Sequence, residues 1–152
     1  MTWTRGVRLG IDVGTVRIGV AVCDPDGILA TPLVTVARQA KADDSDISAD
    51  MVEIARLVAD HGTVEVVVGL PINLAGVEGP AAKHVRAYAD ALAGLIAPVP
   101  VVLADERMST VTATRRLADR GVRGKRQRAV VDQAAAVEIL QGWLDAQRRR
   151  AG

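Results

Sequence analysis

The chain has 152 residues, 49% of them hydrophobic and 24% charged, which is typical of one folded domain with a substantial core. Its apolar runs are far shorter than the roughly 20 residues that cross a bilayer, and its first residues show no secretion signal. A single cysteine, Cys23, excludes an internal disulfide and a cysteine-based zinc cluster. We therefore expect one domain over residues 1–152, in the cytoplasm, with Cys23 as a small buried strand residue.

The net charge of +1 is distributed unevenly along the chain. Residues 1–106 carry 8 Lys and Arg against 14 Asp and Glu, whereas residues 107–152 carry 11 against 4. Most of the positive charge lies between 107 and 128, at Arg107, Arg115, Arg116, Arg120, Arg123, Lys125, Arg126 and Arg128. This basic segment predicts a phosphate-binding surface, although a solvated helix face and loop would have the same composition.

The first third of the chain predicts three β-strands. Residues 7–14, 16–24 and 28–36 are rich in β-branched residues or alternate in polarity, and Asp24 to Gly27 form a turn sequence between the second and third strands. We expect these strands to form an antiparallel meander.

The rest of the chain predicts helices that alternate with strands. The expected elements are a helix from Ile47 to Gly62, a strand at 64–70, a helix over Pro80–Ile96, a strand at 99–104, a helix after Ser109, a basic loop and a last helix from about Ala129. The order βββαβαβαα predicts an α/β fold with a mixed sheet and helices on its faces. Ligands of such sheets gather at the carboxyl ends of the strands.

Asp12 is an unusual residue for the interior of the first predicted strand. Alternation places Leu9 and Ile11 on one face of the strand and Asp12, with Gly10 and Gly14, on the other. A buried carboxylate needs a cation or several hydrogen-bond donors, and the glycines predict open space for a phosphate backbone. Asp12 is therefore a candidate metal ligand; the alternative is a carboxylate that accepts hydrogen bonds from turn amides.

A second acidic position follows the predicted strand at 99–104. Asp105 and Glu106 lie at its carboxyl end, and Ser109 or Thr110 is available to cap the next helix, so neither acid is needed as a cap. The residues alone leave the choice between the two acids open.

A third acid, Asp132, lies in the last predicted helix. Helical spacing places it on the apolar face with Ala135, Ala136 and Ile139. The alternative is that Asp132 is the N-cap of a helix that starts at Gln133.

Together these acids predict a site for one or two Mg²⁺ or Mn²⁺ ions, because hard cations prefer oxygen ligands and no cluster of histidine or cysteine competes. His61 and His84 occur in polar helical stretches and receive no role. Divalent cations on carboxylates activate water for the hydrolysis of phosphodiesters, so the predicted activity is that of a nuclease.

Four segments of the chain together resemble a known family. They are GIDVGTVRIGVAVCDPDG, VVVGLPINLAGVEGP, VVLADERMST and GKRQRAVVDQAAAVEILQGWL. In this order and spacing they closely resemble the YqgF/RuvX family of bacterial RNase H-like proteins over nearly the whole chain. The resemblance implies an RNase H-like fold with a five-stranded mixed sheet, a divalent-metal-dependent nuclease and a carboxylate triad of Asp12, Glu106 and Asp132.

The resemblance also bears on nucleic-acid contacts and biological role. The candidate phosphate contacts are Arg17, Lys125 and Arg126, with Asn73 in the loop after the fourth strand and Arg107 and Arg123 of the basic segment. The family resemblance implies 5′-end maturation of pre-16S ribosomal RNA; the alternative is a Holliday junction resolvase acting on four-way DNA. A resolvase that cuts two strands symmetrically would benefit from a homodimer, whereas trimming one RNA strand needs only a monomer.

Some features depart from the family's pattern or favour other classes of protein. Val16 stands where a basic residue is common, Ala75 stands where an Asp is common, and no fourth carboxylate stands out, which leaves a second metal ion open. The segment GIDVGT also resembles the phosphate loop of actin-like ATPases, but this chain is too short for their two lobes. A nucleic-acid-binding module without catalysis is a further alternative.

Overall fold

A five-stranded mixed sheet forms the centre of the fold in the computed structural model. Its strands are β1 (Arg8–Val13), β2 (Arg17–Cys23), β3 (Ala30–Ala37), β4 (Glu65–Leu70) and β5 (Val101–Asp105). Their spatial order is β3-β2-β1-β4-β5, with β1, β2 and β3 antiparallel and β4 parallel to both β1 and β5. The predicted α/β class, the antiparallel meander and the mixed sheet are confirmed.

Helices cover both faces of this sheet. They are α1 (Ala49–Asp60), α2 (Pro80–Ile96) and α3 (Lys125–Ala151). The structure describes residues 3–39, 47–72, 75–106 and 125–151, the last range without side chains at 125–130 and 151. The predicted helix after Ser109 lies outside these residues. Among the helices so described, none has the length and apolar character that crossing a membrane requires.

Three of the predicted boundaries that differ from the structure have a local physical reason. Helix α3 begins at Lys125 rather than at about Ala129, because Lys, Arg and Gln are good helix formers and extend it toward the N-terminus. Strand β5 begins after Pro100, which has no N–H to donate to a ladder. Helix α1 begins at Ala49, after the N-cap residue Ser48, so Ile47 precedes it and is exposed.

Alternation along the strands divides the buried side chains into two cores. One core lies under α1 and α2 and contains mainly large aliphatic residues, among them Leu9, Ile11, Val20, Val66, Val68, Ile54 and Leu92. The other core lies under α3 and contains smaller strand residues that meet the helix, among them Ala21, Cys23, Val67, Ala104, Ala135, Ala136 and Leu140. The predicted burial of Cys23 is confirmed. The two faces of β1 are the ones that its alternation predicts.

Polar side chains attach α3 to the meander along its length. Gln133 Nε2 donates a hydrogen bond to Thr35 Oγ1 at 3.0 Å, and Gln141 Oε1 accepts one from the Ala30 N–H at 2.9 Å. Near the end of the helix, Arg148 Nη1 donates to the Gly27 carbonyl at 2.7 Å. These contacts fix the position of α3 over β2 and β3, and therefore the height at which its side chains stand above the sheet.

The end of the α3 core farthest from Asp12 is closed by aromatic residues around an arginine. The Arg8 guanidinium lies 3.8 Å from the ring centroid of Trp3 and 5.8 Å from that of Trp143. Its Nε donates to a carboxylate oxygen of Glu65 at 2.8 Å. Arg8 is buried in these contacts, so it shares a sheet face with Asp12 but acts in packing.

Candidate active site

Asp12 is a buried carboxylate near the carboxyl end of β1. It is 4% exposed and lies opposite Gly19 of β2 in the antiparallel register. Gly10, two residues earlier, faces Leu140 of α3, so alternation directs the Asp12 side chain toward the same face. The predicted burial and sheet face of Asp12 therefore agree with the structure.

The glycines around Asp12 do not leave open space, so that part of the prediction is wrong. A Cβ on Gly10 would lie 2.6 Å from the Leu140 Cβ, and one on Gly14 would lie 2.5 Å from the Arg17 carbonyl oxygen. A Cβ on Gly19 would collide with the backbone carbonyl of Asp132. The glycines at 10 and 19 bring α3 close to the sheet, and Gly14 closes the turn between β1 and β2.

Glu106 follows β5 and reaches the same sheet face as Asp12. It is 7% exposed, and its Oε1 lies 3.4 Å from the position that a Cβ on Gly69 would occupy. Gly69 is the residue after Val68, and Val68 pairs with Ile11, the residue before Asp12. Glu106 therefore lies beside Gly69 of β4, and β4 is the strand next to β1, which carries Asp12.

The structure also distinguishes Glu106 from Asp105. Val102 and Ala104 of β5 pack under α3, whereas Val101 and Leu103 pack against the core under α1 and α2. Alternation therefore directs Asp105 toward the α1 and α2 face, away from Asp12. Only Glu106 of this pair shares the face of the other candidate acids.

Asp132 lies inside α3, so the alternative that it is an N-cap is wrong. Its backbone carbonyl stands over Gly19, the strand partner of Asp12. Its Oδ2 accepts a hydrogen bond from Arg17 Nε at 2.7 Å, and the two side chains are 24% and 25% exposed. Asp132 therefore stands above the β1–β2 pair and is joined to β2 by an ion pair.

The three acids suit a hard divalent cation in chemistry, because carboxylate oxygens are its preferred protein ligands. Within the described ranges, no group of three His, Cys, Asp or Glu side chains is gathered closely enough to hold an ion. Asp12 and Glu106 are buried on one face, whereas Asp132 is held by Arg17. The Oδ2 atom of Asp132 is therefore already engaged in an ion pair.

Among the predicted nucleic-acid contacts, Arg17 alone has a described side chain. It occupies the first position of β2, and its guanidinium is committed to Asp132. Lys125 and Arg126 form the start of α3, where a loop is predicted, and their side chains lie outside the described atoms. Asn73, Arg107 and Arg123 lie outside the described residues.

A buried polar network on the opposite face escaped the sequence analysis. Asp50 is 1% exposed and accepts hydrogen bonds from Ser48 Oγ at 2.7 Å, Tyr88 Oη at 2.6 Å and the Gln39 N–H at 2.9 Å. Arg38 Nε lies 3.7 Å from the same carboxylate. Two features of the sequence could have identified this network. They are the spacing Ser-x-Asp at the start of a helix and the single tyrosine of the chain.

Ionisation in this network follows from burial and hydrogen bonding. Burial alone would raise the pKa of Asp50, but the donors on Ser48, Tyr88 and Gln39, with the charge of Arg38, outweigh it and hold that pKa below 3.8. Burial, followed by the hydrogen bond to Asp50, raises the pKa of Tyr88. Asp50 is therefore a fully paired carboxylate.

Arg38 also connects this network to the turn between β1 and β2. Its Nη1 donates to the Gly14 carbonyl at 2.9 Å, and its backbone N–H donates to the Val16 carbonyl at 2.8 Å. The Gly14 N–H donates to the Arg17 carbonyl at 2.9 Å. The backbone that carries Arg17 is thus held at several points beside the acids.

The chain is similar to several known proteins. The family model described as "RuvX: Holliday junction resolvase" matches residues 6–146. A protein of Mycobacteroides abscessus with the name "Putative pre-16S rRNA nuclease" is 56% identical over 97% of this chain and 86% of its own length. A protein of Streptomyces avermitilis with the same name is 54% identical over 97% of this chain and 91% of its own.

Solved structures show the same fold at low sequence identity. RuvC of Thermus thermophilus, in a complex with a Holliday junction substrate, superposes with a TM-score of 0.59 at 17% identity, covering 94% of this chain and 96% of that one. A second structure of RuvC from that organism gives a TM-score of 0.53 at 15% identity, with the same coverage. The fold is therefore RNase H-like, as the sequence predicts. With the family match over residues 6–146 and the relatives above half identity, the chain belongs to the RuvX family.

Proposed function

We propose that the chain is a divalent-metal-dependent endonuclease that hydrolyses phosphodiester bonds in the 5′-end maturation of pre-16S ribosomal RNA. The observation that carries this proposal is the shared sheet face of three acids: Asp12 and Glu106 are buried on it, with Glu106 beside Gly69, and Asp132 stands over the strand partner of Asp12. No such set of acids lies on the opposite face among the described residues, where Asp50 has its own donors.

The chemistry follows from these side chains. A bound Mg²⁺ or Mn²⁺ ion would supply Lewis-acid activation of the attacking water and charge stabilisation at the phosphate. Asp12, Glu106 and Asp132 would hold one or two such ions with carboxylate oxygens. Arg17, the ion-pair partner of Asp132, would contact a phosphate of the strand.

RNA as the substrate is supported by the relatives at 54–57% identity whose names refer to pre-16S rRNA. The basic segment between 107 and 128 supports a nucleic-acid partner of either kind, since Lys and Arg supply the electrostatic part of phosphate binding. Ribosomal RNA is processed in the cytoplasm of bacteria, so the proposal includes that location.

Holliday junction resolution is the second candidate, favoured by the description of the matching family model. Symmetric cleavage of a four-way junction requires two active sites related by a twofold axis, so this candidate includes a homodimer. Sedimentation analysis of the protein with and without a junction would test that requirement.

The deciding experiment compares cleavage of two substrates by purified protein. Fragments that span the 5′ end of pre-16S rRNA and four-way DNA junctions are incubated with Mn²⁺, with Mg²⁺ or with a chelator. We expect divalent-dependent cleavage of the RNA that Asp12→Asn lowers by about a hundredfold or more, since even the outer-shell partners of metal ligands are worth roughly 10- to 100-fold.

The matched control is Asp60→Asn, which removes an exposed carboxylate that pairs with Arg56 on α1, remote from the site. This variant should cleave as the wild type does. Equal cleavage by Asp12→Asn and the wild type would refute the triad. Preference for the junction would favour the resolvase, and binding of nucleic acid without cleavage of either substrate would favour a non-catalytic module.

A further inference from the structure

Asp132 forms an ion pair with Arg17, although the proposed function assigns Asp132 to a metal ion. Arg17 Nε donates to Asp132 Oδ2 at 2.7 Å, so the carboxylate that would bind a cation is already neutralised by a guanidinium. Both side chains are about a quarter exposed, so an ion or a phosphate in solution has access to them.

Several other contacts hold α3 on the sheet besides this ion pair. Helix α3 is attached to the meander by Gln133, Gln141 and Arg148, and it rests on the sheet where Gly19 lies beneath the Asp132 carbonyl. Partly exposed ion pairs contribute little to stability because water screens them and ordering two long side chains costs entropy. Separating the two side chains therefore costs little free energy.

Separation needs only a side-chain movement. The backbone around Arg17 is held by the hydrogen bond from the Gly14 N–H and by the Arg38 contacts to Gly14 and Val16. The Arg17 side chain begins at the edge of this turn, next to the exposed Val16. A guanidinium displaced from Asp132 would remain beside the acids, where it can bind a phosphate with two N–H donors.

We propose that Arg17 is an exchangeable counter-ion: it holds Asp132 until a divalent cation binds, and then turns to a phosphate of the nucleic acid. This inference rests on the proposed function and specifies how its site is regulated. It makes metal and substrate binding mutually supportive, because each ligand removes one partner of the ion pair and frees the other for the second ligand. Arg17 then acts on the metal through Asp132, whereas it contacts the phosphate directly.

The first test is calorimetric titration of Mn²⁺ into the protein without nucleic acid, a measurement independent of activity. Arg17→Gln should bind Mn²⁺ about fivefold more tightly than the wild type, the most that a partly exposed ion pair is typically worth. Arg17→Lys, which keeps the charge, should stay close to the wild type. Arg5→Gln is the matched control, because Arg5 forms an exposed pair with Asp26 at 2.9 Å far from the acids, and it should leave the affinity unchanged.

Two further measurements make the inference specific. In the Asp132→Asn background, Arg17→Gln should no longer change Mn²⁺ affinity, because its partner is gone. The second measurement is the affinity of the wild type for the RNA fragment with and without a divalent cation, with Ca²⁺ used instead of Mn²⁺. The cation should raise this affinity, and the increase should be severalfold smaller in Arg17→Gln. Circular dichroism spectra identify whether Arg17→Gln has lost its fold, in which case Arg17→Ala replaces it.

The failure of this inference can be told apart from that of the proposed function. If the wild type binds Mn²⁺ and cleaves RNA but Arg17→Gln leaves the affinity equal or weaker, the exchange is refuted and the nuclease stands. If the wild type binds no Mn²⁺, both are refuted.

Discussion

The two faces of the five-stranded sheet are packed in different ways. Under α1 and α2 the strands present large aliphatic side chains such as Leu9 and Ile11, which fill the space between sheet and helices. Under α3 the same strands present glycine, alanine and acids, so the backbone of the helix comes close to the sheet at Gly10 and Gly19. The first face can exclude water with side chains alone, whereas the second brings the Asp132 backbone onto the sheet beside Asp12.

Asp50 and Asp132, which lie on opposite faces of the sheet, differ in their hydrogen-bond partners and in their exposure. Asp50, under α1 and α2, has three hydrogen-bond donors and an arginine around it and is 1% exposed. Asp132, on α3, pairs with one arginine among the described side chains, and water reaches that pair. A carboxylate with several buried donors stabilises the fold, whereas one with a single exposed partner is available for exchange. The comparison assigns Asp50 to the stability of the fold and leaves Asp132 as a proposed functional acid.

The largest effect should come from filling the space between sheet and α3. In Gly19→Ala the new Cβ meets the Asp132 carbonyl, a backbone atom that is unable to rotate away. We expect the free energy of unfolding in urea to fall by about 3 kcal/mol, the upper part of the usual range for overpacking. Cleavage should fall as well, because Asp132 moves away from Asp12. Unchanged stability and cleavage would show that α3 does not rest on Gly19.

A smaller loss of stability should follow from Asp50→Asn on the opposite face. The amide keeps the shape of the side chain but loses the charge that Ser48, Tyr88 and Arg38 stabilise. We expect the free energy of unfolding to fall by about 2 kcal/mol, as for hydrogen bonds to a charged group. Cleavage at 25 °C, where the variant is still folded, should persist. Its loss would mean that the α1 and α2 face takes part in the chemistry.

The same acid should make stability depend on pH in a defined window. The folded pKa of Asp50 is lowered, so the unfolded chain binds this proton more tightly and the stabilisation is present above the ordinary value of 3.8. It is lost as pH falls through the lower, folded pKa. The difference in unfolding free energy between the wild type and Asp50→Asn should therefore be constant from pH 7 to about pH 5 and shrink below pH 4. A difference that grows toward acid pH would contradict the assignment.

The smallest effect should be a gain in stability from Gly94→Ala. Gly94 lies inside α2, and a Cβ there meets no atom within 4 Å. Alanine should raise the free energy of unfolding by about 0.5–1 kcal/mol, because glycine loses more backbone entropy in a helix. A higher free energy of unfolding in Gly94→Ala and a lower one in Gly19→Ala would show that the glycines on the α3 face allow close packing. A loss of stability in Gly94→Ala would mean that α2 has a neighbour at this position.

The helices and strands could be predicted from local sequence patterns, because the residues inside each element largely determine it. Alternation is sufficient for β1, and Pro80 marks the start of α2 because a proline needs no partner for its missing N–H. The start of α3 was misplaced because basic residues were interpreted as a loop although they favour helix. The glycines near Asp12 were misinterpreted because a sequence does not show what covers a glycine.

The candidate site was predictable only in part, because local patterns do not show which distant residues come into contact. The burial of Asp12 followed from alternation inside a strand, but Asp105 and Glu106 lie where the strand ends and the alternation stops being informative. The partner of Asp132 is Arg17, 115 residues away, and contacts at that separation arise from the folded arrangement of β2 and α3. Periodicity therefore identified the acids, while their partners required the structure.

The most direct test of the contrast between the two faces uses the adjacent acids Asp105 and Glu106. The measurement is the rate of Mn²⁺-dependent cleavage of the pre-16S rRNA fragment by Asp105→Asn and Glu106→Gln, with urea unfolding to show that both are folded. We predict that Glu106→Gln loses about a hundredfold or more, whereas Asp105→Asn stays within about threefold of the wild type, because only Glu106 shares a face with Asp12. Loss of cleavage in Asp105→Asn with retention in Glu106→Gln would contradict the assignment of the chemistry to the face under α3.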